Sequence, residues 1–320
     1  MQQPPPPAPG IPTLYHFLVN RSFIDIAPLP GVKRHANTRN DQYYQYVHLD
    51  PTQVGPWAGF DFPNIIAQFG HLLHQSHMKR AYEPSSPSTQ YVSCEPEIRG
   101  KLDAYLWRLI NNSLDVLFVD TQHALTQTLQ AIRNDLTPLR PIQVVDGPMF
   151  ARWVTPLLPG RTAVRYNPAD RINTAFQSLR IVGDVKCSWS WDTDWRHSAN
   201  RGQRREYYQV ISQVYTYAQQ CHARYFYVVT DKFLVCYRRR VDQNGIAILG
   251  GVEESPKIRW DTVGVPGQPG VLTAALALWY LHILASTDNP SNHPQPGGRL
   301  PSPVWSITGD RIGAHPTFLH

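Results

Sequence analysis

Leu179-Arg180-Ile181-Val182-Gly183-Asp184-Val185-Lys186 is the stretch that decides how the chain is read. Leu179 to Val185 is rich in strand-forming residues between turn-prone segments, which predicts a central strand. Side chains two apart on a strand share a face, so Asp184 and Lys186 project together. Upstream, a short strand is predicted over Thr162 to Tyr166, followed by Pro168-Ala169-Asp170. A normal hairpin closure sets Asp170 beside Asp184 and Lys186. Two carboxylates converging in a cleft make a hard-oxygen site suited to Mg²⁺ or Mn²⁺. A lysine beside that ion can position or deprotonate a water, or neutralise charge developing on a phosphate.

Helical signals flank these strands. From Ser93 to Asn112, Ile98, Leu102, Tyr105, Leu106, Leu109 and Ile110 recur at three- and four-residue steps and give one apolar stripe. Pro96 suits its first turn, and Glu95 and Glu97 complement the positive end of the helix dipole. A helix is also predicted over Asn64 to Arg80, and another over Gln122 to Asn134. After Lys186, Arg196 to Arg205 reads as a polar, basic loop. Tyr207 to Cys221 is the strongest helix, with Tyr207, Val210, Ile211, Val214, Tyr217, Ala218 and Cys221 on one face. Tyr225–Thr230 and Phe233–Arg240 form a hairpin around Asp231-Lys232. Asn244-Gly245 is a two-residue turn into Ile246–Leu249. Val271 to Ala285 is apolar almost all round and too short to span a bilayer, so it reads as a buried helix.

The division that follows has four parts. Residues 1–12 are a disordered proline-rich tail, and 13–90 are an N-terminal appendage or a layer packed on the core. Residues 91–286 are the α/β core, and 287–320 are a tail rich in Pro and Gly. Of the 320 residues, 42% are hydrophobic and 11% aromatic, enough for a substantial core. The net charge of +6 permits a polyanionic partner without requiring one. No apolar run reaches the roughly 20 residues of a membrane span. MQQPPPPAPG lacks the regions of a signal peptide. Cys94, Cys187, Cys221 and Cys236 form no CxxC pair, which argues against a disulfide framework or a structural zinc site. The expected setting is a reduced intracellular one, nuclear or cytoplasmic.

Taken in order, these pieces resemble the PD-(D/E)XK nuclease-like superfamily, and within it the nuclease-like domains abundant in fungal genomes. The resemblance covers residues 90 to 286. Ser93-Cys94-Glu95-Pro96-Glu97-Ile98-Arg99 resembles the opening helix, and Pro168-Ala169-Asp170 the PD element. Gly183-Asp184-Val185-Lys186 resembles the (D/E)XK element, and Gln213-Val-Tyr-Thr-Tyr217 the helix that follows it. Tyr225 to Asp231 and Leu272 to Ala285 resemble the next hairpin and the closing helix. An alanine separates Pro168 from Asp170, the acid of the third motif is aspartate, and Phe226 stands where the family often has glycine.

The resemblance implies a restriction-endonuclease-like fold, a small mixed β-sheet flanked by helices. It implies metal-dependent hydrolysis of nucleic acid, DNA first, at an Mg²⁺ or Mn²⁺ held by Asp170, Asp184, the carbonyl of Val185 and Glu95. Lys186 would orient the attacking water, and Gln213 would support the lysine or the substrate phosphate. Arg201, Arg204 and Arg205 would contact the nucleic-acid backbone, a salt-sensitive, sequence-independent interaction. A homodimer is compatible with this reading, and no membrane partner is expected.

Each piece has a plainer reading. Asp184 and Lys186 can be a strand-end ion pair that contributes little. Glu95 can be a helix-start charge, Gln213 a surface residue and the arginines a solvated loop. Trp189, Trp191 and Trp195 can stack on bases or pack internally. His71, His74 and His77 step by three on a helix without an acid partner. The alternatives to a working nuclease are an inactive relative that binds nucleic acid or protein, and a fungal effector or selfish-element toxin on the same fold.

Overall fold

Tyr225 to Thr230 is buried along its whole length, and its side chains alternate between two apolar clusters. Tyr225, Tyr227 and Val229 belong to one cluster, Phe226 and Val228 to the other. A strand buried on both faces sits in the middle of a sheet covered on both sides, and this strand organises the molecule. The computed structural model describes residues 11–20, 26–32, 46–49, 51–78, 90–120, 142–146, 161–165, 179–221, 223–242, 247–265 and 267–286. Asp170, the predicted helix from Gln122 to Asn134, the Asn244-Gly245 turn and almost all of both predicted tails lie outside the described residues.

The helices are α1 (Leu14–Val19), α2 (Phe62–Gln75), α3 (Glu95–Leu102), α4 (Arg108–Asp115), α5 (Arg201–Gln220) and α6 (Ala274–Ala285). The strands are β1 (Ile26–Pro28), β2 (Val54–Pro56), β3 (Gln90–Val92), β4 (Ile142–Asp146), β5 (Arg161–Arg165), β6 (Leu179–Lys186), β7 (Tyr225–Thr230), β8 (Phe233–Val241), β9 (Ala247–Glu254) and β10 (Ile258–Arg259). Among the described residues the main sheet has eight strands in the order β2-β9-β8-β7-β6-β5-β4, with β10 paired to β8. β4, β5 and β6 pair antiparallel, β6 and β7 pair parallel, and β7 and β8 close the predicted hairpin. A parallel neighbour requires a crossover, and α5 supplies it.

One face of the sheet is covered by α1, α2, α3, α4 and α6, the other by α5. α6 is buried on every side, as its uniform apolarity predicts. Thr273 caps it by accepting from the Leu276 amide at 3.2 Å and donates its own hydroxyl to Leu18 O at 2.5 Å. Trp279 meets Phe69 of α2 edge to face at 5.7 Å. β2 extends the sheet by pairing parallel with β9, Val54 opposite Val252. Of the described elements between residues 13 and 78, β2 joins the main sheet and α1 and α2 pack into the same core, while β1 pairs parallel with β3 in a separate two-stranded sheet. No helix among the described residues is long and apolar enough to cross a membrane.

Several boundaries differ from the sequence expectation for local reasons. The helix expected from Asn64 runs from Phe62 and stops at Gln75, where Ser76 turns extended and its amide closes on Leu72 O. The helix expected over Ser93 to Asn112 continues through a π-turn at Asp103–Trp107 into α4. The polar loop expected over Arg196 to Arg205 is a 3₁₀ turn (Thr193–His197) followed by the start of α5. Asn200 ends the loop early: its carboxamide oxygen accepts from Gly202 at 2.8 Å and Gln203 at 3.4 Å, satisfying amides that a helix start leaves open.

His282 of α6 is wholly buried, and its Nδ1 lies 2.7 Å from Leu278 O. A carbonyl only accepts, so Nδ1 carries the proton and Nε2 is bare. Burial lowers the imidazole pKa from 6.5 to about 4. The unfolded chain therefore takes up a proton near pH 6.5 that the folded chain refuses, and stability is lost as pH falls towards 4. That shift corresponds to roughly 3 kcal/mol. In urea titrations at stepped pH, His282→Leu is expected to flatten the decline between pH 6.5 and 4. An unchanged slope in that variant would place the acid sensitivity elsewhere.

Candidate active site

β6 ends at the carboxyl edge of the sheet, and its last residues face two ways. Ile181 and Val185 enter the cluster beneath α6, while Val182 joins the cluster beneath α5. Asp184 and Lys186 share the parity of Val182 and are 4% and 3% exposed. Their side chains meet as the i, i+2 spacing predicts, Lys186 Nζ lying 2.8 Å from Asp184 Oδ2. Asp184 Oδ1 accepts from the Val185 amide at 3.0 Å. Glu95, the first residue of α3, brings Oε2 to 3.6 Å from the same ammonium, and its Oε1 lies 3.8 Å from Arg99 one turn on. Residues almost ninety positions apart in the sequence thus converge on one cation.

A buried charge is tolerated only when paired, and Lys186 has two partners. Burial by itself would lower its pKa, but Asp184 and then Glu95 outweigh that and hold it above the ordinary lysine value. Lys186 is therefore a fixed ammonium. Glu95 keeps 30% of its side chain in solvent, yet the protein around it withdraws enough water to raise its pKa. Lys186 pulls that value back down, and Asp184 pushes it up again.

The loop beyond Lys186 is pinned from the neighbouring strand. Asp231, 2% exposed, accepts from the Ser188 amide and the Ser188 hydroxyl, both at 2.7 Å. With Lys186 paired to Thr230 in the parallel ladder, the ends of β6 and β7 are locked together. On the α5 side, Gln213 Nε2 donates to the Tyr217 hydroxyl at 2.5 Å. The Tyr217 pKa is raised by burial first, then by the nearby Asp184 carboxylate and the Tyr46 hydroxyl. Gln213 thus approaches the acids through Tyr217.

Asp184, Lys186 and Glu95 are brought together, and Gln213 stands behind them. Asp170 lies outside the described residues. Arg201, Arg204 and Arg205 occupy the first two turns of α5 instead of a loop. Among the described residues no group of three His, Cys, Asp or Glu side chains gathers. Asp184, Glu95 and a backbone carbonyl such as that of Val185 are nonetheless hard-oxygen donors of the kind Mg²⁺ and Mn²⁺ take. The donor chemistry fits such an ion, with Glu95 open to solvent on one side.

Trp191 is wholly buried, lying parallel to Tyr207 at 6.3 Å and packed on Phe233 at 5.7 Å, so it is a core residue and no platform for a base. On β8, Arg239 is buried with its guanidinium 5.4 Å over Tyr215, while Arg238 pairs with Glu253. His74 stacks on Tyr15 at 4.2 Å. Sequence reasoning missed Asp231, an acid in a tight turn, and Tyr46, which stands in a stretch without periodicity. Comparison with protein-family models, with curated proteins and with solved structures finds no match.

Gly183 sits opposite Tyr227 in the parallel ladder, and a Cβ built there falls 2.0 Å from Tyr227 Cζ, an impossible overlap. The glycine before Asp184 is required because the tyrosine fills its side-chain space, wedged against Trp107 at 5.6 Å. Gly183→Ala is expected to lower unfolding free energy by about 1–3 kcal/mol, the range for overpacking a core. Adding Tyr227→Leu should recover part of that loss in a double-mutant cycle. Strict additivity would show that the ring is not the obstacle.

Proposed function

We propose that this chain is a metal-dependent phosphodiesterase acting on nucleic acid, DNA first, built on a PD-(D/E)XK restriction-endonuclease-like core. The observation that carries the reading is the fixed ammonium of Lys186, buried between Asp184 and Glu95 at the carboxyl end of a central strand. The succession of helix, three antiparallel strands, crossover helix and a strand parallel to the third supports it.

The residues divide the work by charge. Asp184, Glu95, the carbonyl of Val185 and Asp170 would hold one Mg²⁺ or Mn²⁺. Such an ion polarises a phosphoryl oxygen and lowers the pKa of a bound water. Lys186 cannot swing away, because both partners and the β6–β7 ladder fix it. It offers a preorganised positive charge to an oxygen that becomes more negative during attack, where fixed charges act most strongly. Gln213 and Tyr217 hold their side chains beside Asp184 and keep its surroundings ordered. Arg204 and Arg205 lie on the same helix as Gln213 and present charge to a phosphate backbone.

One observation favours a second reading, a scaffold that binds nucleic acid without cutting it. The Lys186 ammonium already satisfies Asp184 at 2.8 Å and competes with an incoming cation.

Cleavage of supercoiled DNA, single-stranded DNA and RNA with Mn²⁺ or Mg²⁺ separates the two. Asp184→Asn and Lys186→Met keep side-chain volume, and circular dichroism checks that they fold. Each is expected to lose on the order of 10²–10³-fold in rate, the size of loss seen when one preorganised electrostatic partner is removed. Equal rates in wild type and both variants would end the nuclease reading, as would a folded wild type with no metal-dependent cleavage.

A further inference from the structure

A cavity of about 540 Å³ opens beside the candidate active site, and its lining is one-sided in charge. Arg196, Arg204 and Arg205 line it together with His48 and His197, and among the described residues no acidic side chain does. Such a wall attracts anions. Two of the arginines are already anchored: Arg196 donates to Val54 O, and Arg204 donates to Ser198 O. Arg205 is exposed and has no hydrogen-bond or ion-pair partner among the described residues. Its fork is the group available to take a phosphate in two parallel hydrogen bonds.

The remaining lining is of a different kind. Tyr46 and Tyr208 line the cavity, both half-buried, with Leu49 and Pro51 adding apolar surface. Tyr208 is held edge-on against Tyr207 at 4.9 Å, so its orientation is fixed. Gln209 and Ser212 add polar groups at the wall formed by α5. Fixed aromatic surface, apolar contact and a few polar groups under a rim of arginines suit a unit with a flat ring at one end and a phosphate at the other. The volume falls in the range of small-molecule sites.

The cavity also connects to the acids. Arg205, Gln209 and Gln213 recur at four-residue steps on α5, so one stripe of the helix runs from the cationic rim to the residue bonded to Tyr217. Eight residues of helix span about 12 Å. Tyr46 lines the cavity and also meets edge-on, at 6.4 Å, the Tyr217 ring whose hydroxyl lies near Asp184.

We infer that this cavity receives one unpaired nucleotide of a nucleic-acid strand, its base against Tyr46 and Tyr208 and its phosphate on Arg205, and that the protein therefore selects single-stranded over duplex substrate. The inference rests on the nuclease reading and specifies its substrate. A base inside a duplex has both faces stacked and its edge paired, so it cannot lay a face against Tyr46 and Tyr208. An unpaired base offers its face to aromatic side chains.

Fluorescence anisotropy in EDTA tests this without any cutting. The probe is a labelled oligothymidylate strand, compared with the same strand annealed to its complement. Wild type is expected to bind the single strand at least tenfold more tightly than the duplex. Arg205→Ala should weaken single-strand binding five- to tenfold and reduce the salt slope by about one counterion. Tyr208→Ala should weaken it similarly while leaving the slope unchanged. Tyr208→Leu, which keeps the packing against Tyr207, guards against loss of fold and should also weaken binding. Thymidine monophosphate should displace the strand better than inorganic phosphate does. Equal affinity for both forms, unaltered binding in Arg205→Ala and both Tyr208 variants, or equal displacement by phosphate and nucleotide would each overturn the inference. Binding is read without metal, so its outcome stands apart from cleavage. A protein that cuts both forms but binds them equally loses only the cavity, whereas selective binding without cleavage loses only the nuclease reading.

Discussion

The position of the Lys186 ammonium constrains everything around it. A lysine that is 3% exposed must be charge-paired where it stands. Asp184 can reach it because β-strand geometry puts residues two apart on one face. Glu95 can reach it because α3 begins where β6 ends. Removing either acid would leave the cation under-compensated in a region of low polarity, so the arrangement has little freedom to drift. That lack of freedom is what an electrostatic catalytic group needs, since a charge already in place requires no reorganisation when the substrate changes charge.

The sheet supplies the platform. β6 is antiparallel to β5 and parallel to β7, so the chain leaves the carboxyl end of β6, crosses in α5 and returns beside it. That crossover brings Gln213 and Tyr217 over the Asp184 face, and it places the cationic first turns of α5 at the mouth of the adjoining cavity. Asp231, at the end of the parallel partner, ties down the loop after Lys186. Gly183 leaves space for Tyr227, which lets two strands with large residues approach at that point. The candidate site thus depends on packing on both faces of β6, with Asp184 and Lys186 on one and a tyrosine wedge on the other.

How much of this was legible in the sequence follows from the range of each signal. β6, the β7–β8 hairpin and α6 were readable because period-two alternation and continuous apolarity are local patterns. The pairing of Asp184 with Lys186 was readable for the same reason. The start of α5 was not read, because Arg201 to Arg205 carry no apolar stripe. The available clue was Asn200, whose side chain caps the helix. β2 is three residues long and pairs with β9, and nothing near Val54 announces a partner at Val252. Tyr46 was missed because its role comes only from packing against Tyr217 on a helix far along the chain. For Trp191 the sequence left base stacking and internal packing both open, because composition shows aromatic character without showing which ring is enclosed.

On the proposed reading, Asp184 and Glu95, held by Lys186, form the oxygen face of a divalent-metal site. Crystals soaked in Mn²⁺ and measured at a wavelength where manganese scatters anomalously test it most directly. One anomalous peak is expected in contact with carboxylate oxygens of Asp184 and Glu95, with its loss in Asp184→Asn. Manganese bound elsewhere on the protein, with none at these two carboxylates, would contradict it.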